Sequence, residues 1–325
     1  TGWKKIKRRF AELENVVYLF HATDNFEILV DTKNPRFLKG QLSVEGREQG
    51  ARINVLPNRE KLEKAFSLFS NHLQIHDQDS HDHWDVLYQN KGGTWSYVYT
   101  LEKRKKHMAR KYMKVEKFAK KYEVLHSNVE NALFDSKDNM ALPMYTLLHT
   151  FMRVGNEVYY KTHGHKGLTT LMKSDVEIYG NEVSFSFLGK DGVPQLLSYD
   201  FPKLYVKRLQ KLLSCKKDKD FVFTNNGRLL HERDFKKAFN KYCGEEFYPH
   251  IVRSYYASSC VQTALKNCDS FSHETMEHLF LSIAHGLGHK KFDKKINEWK
   301  DNYSVTVRSY VQPELFAAVM KRVEK

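Results

Sequence analysis

The apolar residues change their period near residue 112, and that change limits the chain to folds with a β-containing front and a mainly helical back. Before residue 100, runs such as Val16 to Phe20, Phe26 to Val30 and Trp95 to Tyr99 gather β-branched and aromatic residues between polar turns, among them Lys91-Gly92-Gly93-Thr94. Such runs predict strands. Leu62, Ala65, Phe66, Phe69 and Leu73 stand at helical spacing and predict one helix among them. Beyond residue 112 the text turns helical, from Val115 to Leu133 and again from Lys203 to Leu213, where cations take the face opposite the apolar one. One interruption stands out: Val183 to Phe187 alternates, Gly189-Lys190-Asp191-Gly192 breaks the run, and Gln195 to Tyr199 resumes it, which predicts a β-hairpin. The expected fold class is α+β in two lobes, a smaller β-containing one over residues 1–112 and a mainly α-helical one with a β-hairpin over residues 113–325.

Charge narrows the function. A net charge of +14 sets up a field that attracts polyanions, nucleic acid first among them. With 41% hydrophobic and 28% charged residues, the chain fits neither the disordered nor the membrane class. No apolar run is long enough for a membrane span, and TGWKKIKRRF lacks the apolar core of a secretion signal, so an intracellular location is expected. Cys215, Cys243, Cys260 and Cys268 show no CxxC spacing, which argues against zinc and against a disulfide framework. The histidines of His76 to Asp85 and of His163-x-His165 lie among loop formers without the HExxH spacing, so no metal site is expected there. The basic stretch from Lys103 to Lys114, with Lys103, Arg104, Lys105, Lys106 and Arg110, falls at the junction of the lobes and is a candidate for phosphate contacts.

Several motifs in a fixed order carry a resemblance. Met152-Arg153-Val154-Gly155-Asn156 precedes Gly167-Leu168-Thr169-Thr170-Leu171; Phe185-Ser186-Phe187-Leu188-Gly189-Lys190 follows, then Arg253, and last Arg308-Ser309-Tyr310-Val311-Gln312-Pro313. Together they resemble the type IB DNA topoisomerases, including the small poxvirus and bacterial forms, over roughly residues 115–320. The resemblance implies a two-lobe clamp around duplex DNA, working as a monomer and relaxing supercoils by cutting and resealing one strand. Arg153 and Arg253 would clamp the phosphate, His289 would donate a further hydrogen bond to it, Lys190 would be the proton donor and Tyr310 the nucleophile. Tyr159, Tyr160 and Lys161, directly after the Arg153 motif, are candidate phosphate contacts, with packing of one tyrosine as the alternative.

The chemistry explains the company these residues keep. Attack of a tyrosine oxygen on a phosphodiester spreads charge over phosphate oxygens that need fixed positive donors, and the arginine fork meets two oxygens at once. The departing 5′ oxygen needs a proton, which a general acid supplies. A 3′-phosphotyrosine keeps the phosphodiester energy, so no ATP is needed, and with cations from the chain no metal or other cofactor is expected. Consistent with this, neither a Walker loop nor an acidic metal cluster is seen in the sequence.

Two features depart from the family pattern. His250-Ile251-Val252-Arg253 and Leu287-Gly288-His289 resemble the His-x-x-Arg and Leu-Gly-His boxes of tyrosine site-specific recombinases, which is the alternative function; a catalytically inactive DNA-binding scaffold is the third. The stretch from His289 to Tyr310 is longer than in the family, which predicts an inserted loop or helix extension over Lys290 to Asn302. Tyr303 fits the usual spacing to His289 better, but Tyr310 has the family's local context, so Tyr310 is the expected nucleophile and Tyr303 a polar or packing residue.

Overall fold

The computed structural model describes residues 4–6, 40–42, 48–55, 60–67, 70–75, 84–90, 93 and 95–324. The fold class is α+β, and the chain divides into two compact units, residues 1–111 and 112–325. The runs Val16 to Phe20 and Phe26 to Val30, and the histidines from His76 to His83, lie outside the described residues.

In the first unit, β1 (Lys4–Ile6), β2 (Gly40–Leu42), β3 (Glu48–Val55) and β4 (Lys61–Ser67) form an antiparallel sheet in that order. A second sheet joins β5 (Asn71–Ile75), β6 (Val86–Gln89) and β7 (Trp95–Val98). The helix expected over Leu62 to Leu73 is therefore a correction: Leu62, Ala65 and Phe66 belong to β4 and Leu73 to β5, while Phe69 lies outside the described residues. Residues four apart share a face in a strand as well as in a helix, so Leu62 and Phe66, both buried, satisfy either period. The pairing of Ile53 with Phe66 across β3 and β4 settles the matter in favour of the sheet.

Helix α1 (Leu101–Ala132) begins at Thr100, whose Oγ1 accepts the Lys103 amide at 3.2 Å and leaves one fewer orphan donor in the first turn. Asp85 accepts the Thr100 amide and the Lys103 ammonium, each at 2.7 Å, and its negative charge suits the helix N-terminus. Within the second unit, α1 buries Tyr112, Val115, Phe118, Leu125 and Val129, a stripe of helical period. The Phe118 ring meets Phe247, Tyr255 and Phe239 edge-on at 5.1, 5.3 and 5.9 Å. Full burial of such a ring contributes about 1.5–3 kcal/mol.

After α2 (Ala141–Thr150) and the short α3 (Glu157–His163), strands β8 (Val176–Tyr179), β9 (Glu182–Leu188) and β10 (Pro194–Asp200) build an antiparallel sheet with β9 in the middle. The expected hairpin is β9–β10, with Pro194 opposite Leu188 and Gln195 opposite Phe187. Strand β8 adds a third member. Helix α4 (Lys203–Ser214) places Arg208 so that it donates to the carbonyls of Ala132, Leu133 and Asp138, covering the C-terminal end of α1.

A small pair of strands, β11 (Thr224–Asn225) and β12 (Arg228–Leu229), leads to α5 (Glu232–Cys243), α6 (Ile251–Asn267) and α7 (His273–Gly286). The inserted stretch is neither loop nor helix extension but a hairpin of β13 (Lys290–Asp293) and β14 (Glu298–Asp301). Phe292 faces Trp299 across it at 5.2 Å between ring centroids, and Lys300 reaches Asp293 at 3.2 Å. Those cross-strand pairs, with Asn297 at φ +57° in the turn, give the segment a strand pairing that its lysine-rich text hides. Helices α8 (Ser304–Ser309) and α9 (Pro313–Arg322) end the chain. Tyr310, between them, sits in a buried cluster with Ala257, Val261, Phe280, Ile283, Leu287 and Val311.

Candidate active site

Four of the five expected catalytic side chains meet around the Tyr310 ring. The Arg153 Nη2 donates to the Tyr310 hydroxyl at 2.9 Å. The Arg253 guanidinium carbon lies 5.1 Å from the centre of the Tyr310 ring, and the His289 ring 4.9 Å from it. Lys190, the fifth, stands at the β9–β10 turn and lines the same cavity of about 320 Å³ as Arg153, Arg253 and His289. Tyr303 makes a packing contact instead: its ring stacks on Phe280 at 5.8 Å, against the same buried cluster that holds Tyr310.

Local structure explains how each is held. Arg153 follows α2, where the chain turns at Phe151, φ +53°. The Arg153 carbonyl accepts the Leu168 amide at 2.8 Å, and the Val154 carbonyl accepts the Thr169 amide at 2.7 Å and the Thr169 hydroxyl at 2.9 Å. This lacing works only because two glycines lie back to back. A Cβ on Gly167 would stand 2.6 Å from the Arg153 oxygen and 2.7 Å from the Gly155 Cα, and Gly155 itself adopts φ +90°. The two sequence motifs are thus one device for presenting Arg153.

Arg253 belongs to the first turn of α6 and is 2% exposed. Its Nη1 donates to the Phe151 carbonyl at 2.5 Å, and its Nη2 to the Leu287 carbonyl at 2.7 Å and to His289 Nε2 at 3.0 Å. No carboxylate is among these partners, and among the described residues its buried Nε has no hydrogen-bond partner. Burial pulls the guanidinium down to about 10, with the Tyr310 oxygen opposing the shift and the charge of Arg153 adding to it. A cation buried without a counter-ion is costly unless a ligand supplies the charge.

A guanidinium only donates, so His289 Nε2 must accept from Arg253, and the ring proton rests on Nδ1, which donates to Thr306 Oγ1 at 2.8 Å. Burial first, then the charges of Arg253 and Arg153, hold the imidazole down to about 3, so it is neutral. Folded and unfolded chains then differ in proton uptake between about 3 and the ordinary value of 6.5, where only the unfolded chain binds the proton. Stability is therefore lost as pH falls through that window, at about 1.4 kcal/mol per pH unit from this group. Between pH 7 and 5 we expect His289 to account for about 2 kcal/mol, measured by urea unfolding. His289→Gln should show a pH dependence smaller by that amount; equal dependence in the two proteins would mean that the imidazole is not held neutral.

The cavity wall is strongly biased in charge. Arg153, Lys166, Lys190, Arg253, Lys290 and Lys291 line it, against Asp191 alone among acids. Lys166 is neutralised by Asp175 at 2.7 Å, and among the described residues no carboxylate forms an ion pair with the other five cations. Such a wall suits an anion.

The remaining candidates fall apart into different environments. Lys103 and Arg104 are paired with Asp85 and Glu63 inside the first unit. Lys106 pairs with Glu102 on the helix surface, and Lys105 and Arg110 are exposed. On α3, Tyr159 is exposed and Lys161 pairs with Glu157 at 2.7 Å, whereas Tyr160 packs edge-on against Phe221 at 5.6 Å. Tyr160 is thus the packing tyrosine. Sequence reasoning passed over Thr306, which orients His289, and Ser258, whose Oγ accepts the Gln312 amide at 3.2 Å beside the Tyr310 carbonyl. Thr306 stands four residues before Tyr310, one turn of α8 away, and that spacing was its only signal.

The family described as eukaryotic DNA topoisomerase I, catalytic core, matches residues 101–309, more than half of the chain. No curated protein sequence matches the chain. Two solved structures are similar in part. One is the XerH site-specific recombinase bound to palindromic difH substrate in a post-cleavage complex, with 16% identity and TM-score 0.36, covering 52% of this chain and 45% of that one. The other is XerH bound to difH substrate in a pre-cleavage complex, with 17% identity and TM-score 0.36, covering 54% and 50%. The matched region is about half the length of either.

Proposed function

Because the chain belongs to the eukaryotic DNA topoisomerase I catalytic-core family, we propose that it relaxes supercoiled duplex DNA as a type IB topoisomerase. The observation that carries this reading is the buried Tyr310 hydroxyl held at 2.9 Å by Arg153, which with buried Arg253 and neutral His289 also lines a cation-rich cavity. A phosphodiester entering the cavity supplies the negative charge that Arg253 lacks. The oxygen of Tyr310 attacks phosphorus and gives its proton to water, a 3′-phosphotyrosyl bond forms, and the bond to the 5′ oxygen breaks. Lys190 gives that oxygen its proton. Arg153 and Arg253 hold the phosphate oxygens where charge builds up. Resealing is the same path in reverse, with the 5′ hydroxyl attacking and Tyr310 leaving.

His289 contributes once phosphate draws Arg253 away. The Thr306 hydroxyl both accepts and donates, so the imidazole can move its proton to Nε2 and take a hydrogen bond at Nδ1 instead. Nε2–H then faces the phosphate. The exposed cations Lys105, Lys106 and Arg110 on α1 add backbone contacts along the duplex.

Supercoiled plasmid provides the test. Relaxation in EDTA and without ATP, together with a covalent adduct at Tyr310, is the expected result; an absolute need for a divalent ion or for ATP contradicts the mechanism. A second reading has one observation in its favour: His250, of the His-x-x-Arg box, lies 5.2 Å from the Tyr310 ring. Strand exchange between two defined sites with negligible relaxation would select that recombinase reading.

A further inference from the structure

The Lys190 turn and the His289 turn come from distant parts of the chain, and a single side chain ties them together. Gln195, on β10, donates from Nε2 to the Gly288 carbonyl at 3.0 Å. A carbonyl only accepts, so the amide orientation is set by this partner. Both ends of the side chain touch glycines that stand directly before a reacting residue. Its Cγ lies 3.0 Å from where a Cβ of Gly189 would be, and its Oε1 overlaps the place a Cβ of Gly288 would take. Gly288 also adopts φ +63°, which favours glycine.

Among the described residues, each turn is otherwise held by hydrogen bonds of its own. The Lys190 turn closes on itself through the Gly189 amide and the Val193 carbonyl at 2.8 Å. The His289 turn rests on α7, with the His289 amide donating to the Ala284 carbonyl at 2.8 Å, and on Arg253 through the Leu287 carbonyl. Gln195 therefore spans from the proton donor's hairpin to the phosphate clamp.

We propose that Gln195 is a positioning residue, which sets Lys190 against the scissile phosphate by tying the β9–β10 turn to the Leu287-Gly288-His289 turn. The inference rests on the strand-cleavage reading above. Gln195 touches no reacting atom; it acts through Lys190, and its loss leaves the proton donor free to drift from the 5′ oxygen. A displacement of about 1 Å is enough to cost roughly 10²-fold in rate.

The test separates loss of the proton donor from loss of the site as a whole. A duplex is prepared with a 5′-bridging sulfur at a cleavage site first mapped on plasmid DNA. A thiolate leaves without protonation, so cleavage of this duplex does not need Lys190. Gln195→Ala, and Gln195→Met, which keeps the bulk but not the donor, should both cleave the all-oxygen duplex roughly 10²-fold more slowly than wild type. Both should cleave the sulfur duplex at close to the wild-type rate, as Lys190→Ala should if Lys190 is the proton donor, with an unchanged melting temperature. Equal loss on both duplexes, or no loss on the oxygen duplex, overturns the role assigned to Gln195. Failure of the wild type to cleave either duplex is a different outcome, which removes the strand-cleavage reading itself and this inference with it.

Discussion

Tyr310→Phe should abolish the proposed covalent protein–DNA adduct and plasmid relaxation, a loss on the order of 10⁶-fold for removal of a nucleophile, while DNA binding and folding should persist. Only one oxygen is lost. The ring keeps its place among Ala257, Phe280, Leu287 and Val311, and the hydrogen bond given up, from half-buried Arg153, is worth about 1.5–3 kcal/mol at most. Tyr303→Phe keeps the ring stacked on Phe280 and should relax plasmid normally. Adduct trapping on denaturing gels reads both variants. An adduct that survives in Tyr310→Phe and vanishes in Tyr303→Phe would reverse the assignment.

Arg253 gives the second large effect, with activity and stability moving apart. Arg253→Met keeps much of the length but loses the charge and every donor. Removing one fixed donor at a developing oxyanion costs on the order of 10²–10³-fold in rate, and loss of a two-donor fork should reach the upper end. Stability responds to two opposed terms. The carbonyls of Phe151 and Leu287 lose their donor, at about 1–3 kcal/mol each. Against this, a guanidinium held down to about 10 from 12.5 is a buried charge that the fold carries at about 3 kcal/mol, and its removal gives that back. The terms partly cancel, so urea unfolding at pH 7 should change by less than about 3 kcal/mol while relaxation falls by roughly 10³-fold. A variant that loses activity only because it unfolds would show that Arg253 is structural first.

The organisation of the second unit was readable in the text because its signals are local. Alternation at Val183 to Phe187 with a glycine-bounded turn requires only neighbouring residues, and so does the helical stripe from Val115 onward. The Arg153, Lys190, Arg253, His289 and Tyr310 motifs were equally legible, since each has its own flanking pattern. The choice of Tyr310 over Tyr303 rested on such flanks, and the geometry places Tyr310 with Arg153 and Tyr303 with Phe280.

What failed were signals that two structures satisfy equally, or that depend on a remote partner. Leu62 and Phe66 suit a helix or a strand, and only pairing with β3 decides. Lys290 to Asn302 has no strong apolar pattern of its own; Phe292 and Trp299 become a pair only when β13 and β14 fold onto each other. The bare composition of Lys103 to Lys106 likewise concealed that Lys103 and Arg104 have acidic partners in the first unit, at Asp85 and Glu63.

Sequence by itself determined which side chains are candidates: the cationic donors, Tyr310 and the turns that carry them, because residue type and short spacing carry that information. Tertiary structure alone decided their state. Arg253 is buried with no carboxylate partner among the described residues, His289 is neutral with its proton on Nδ1, and Gln195 joins the two turns, since burial, tautomer and contact all depend on residues brought together from far along the chain.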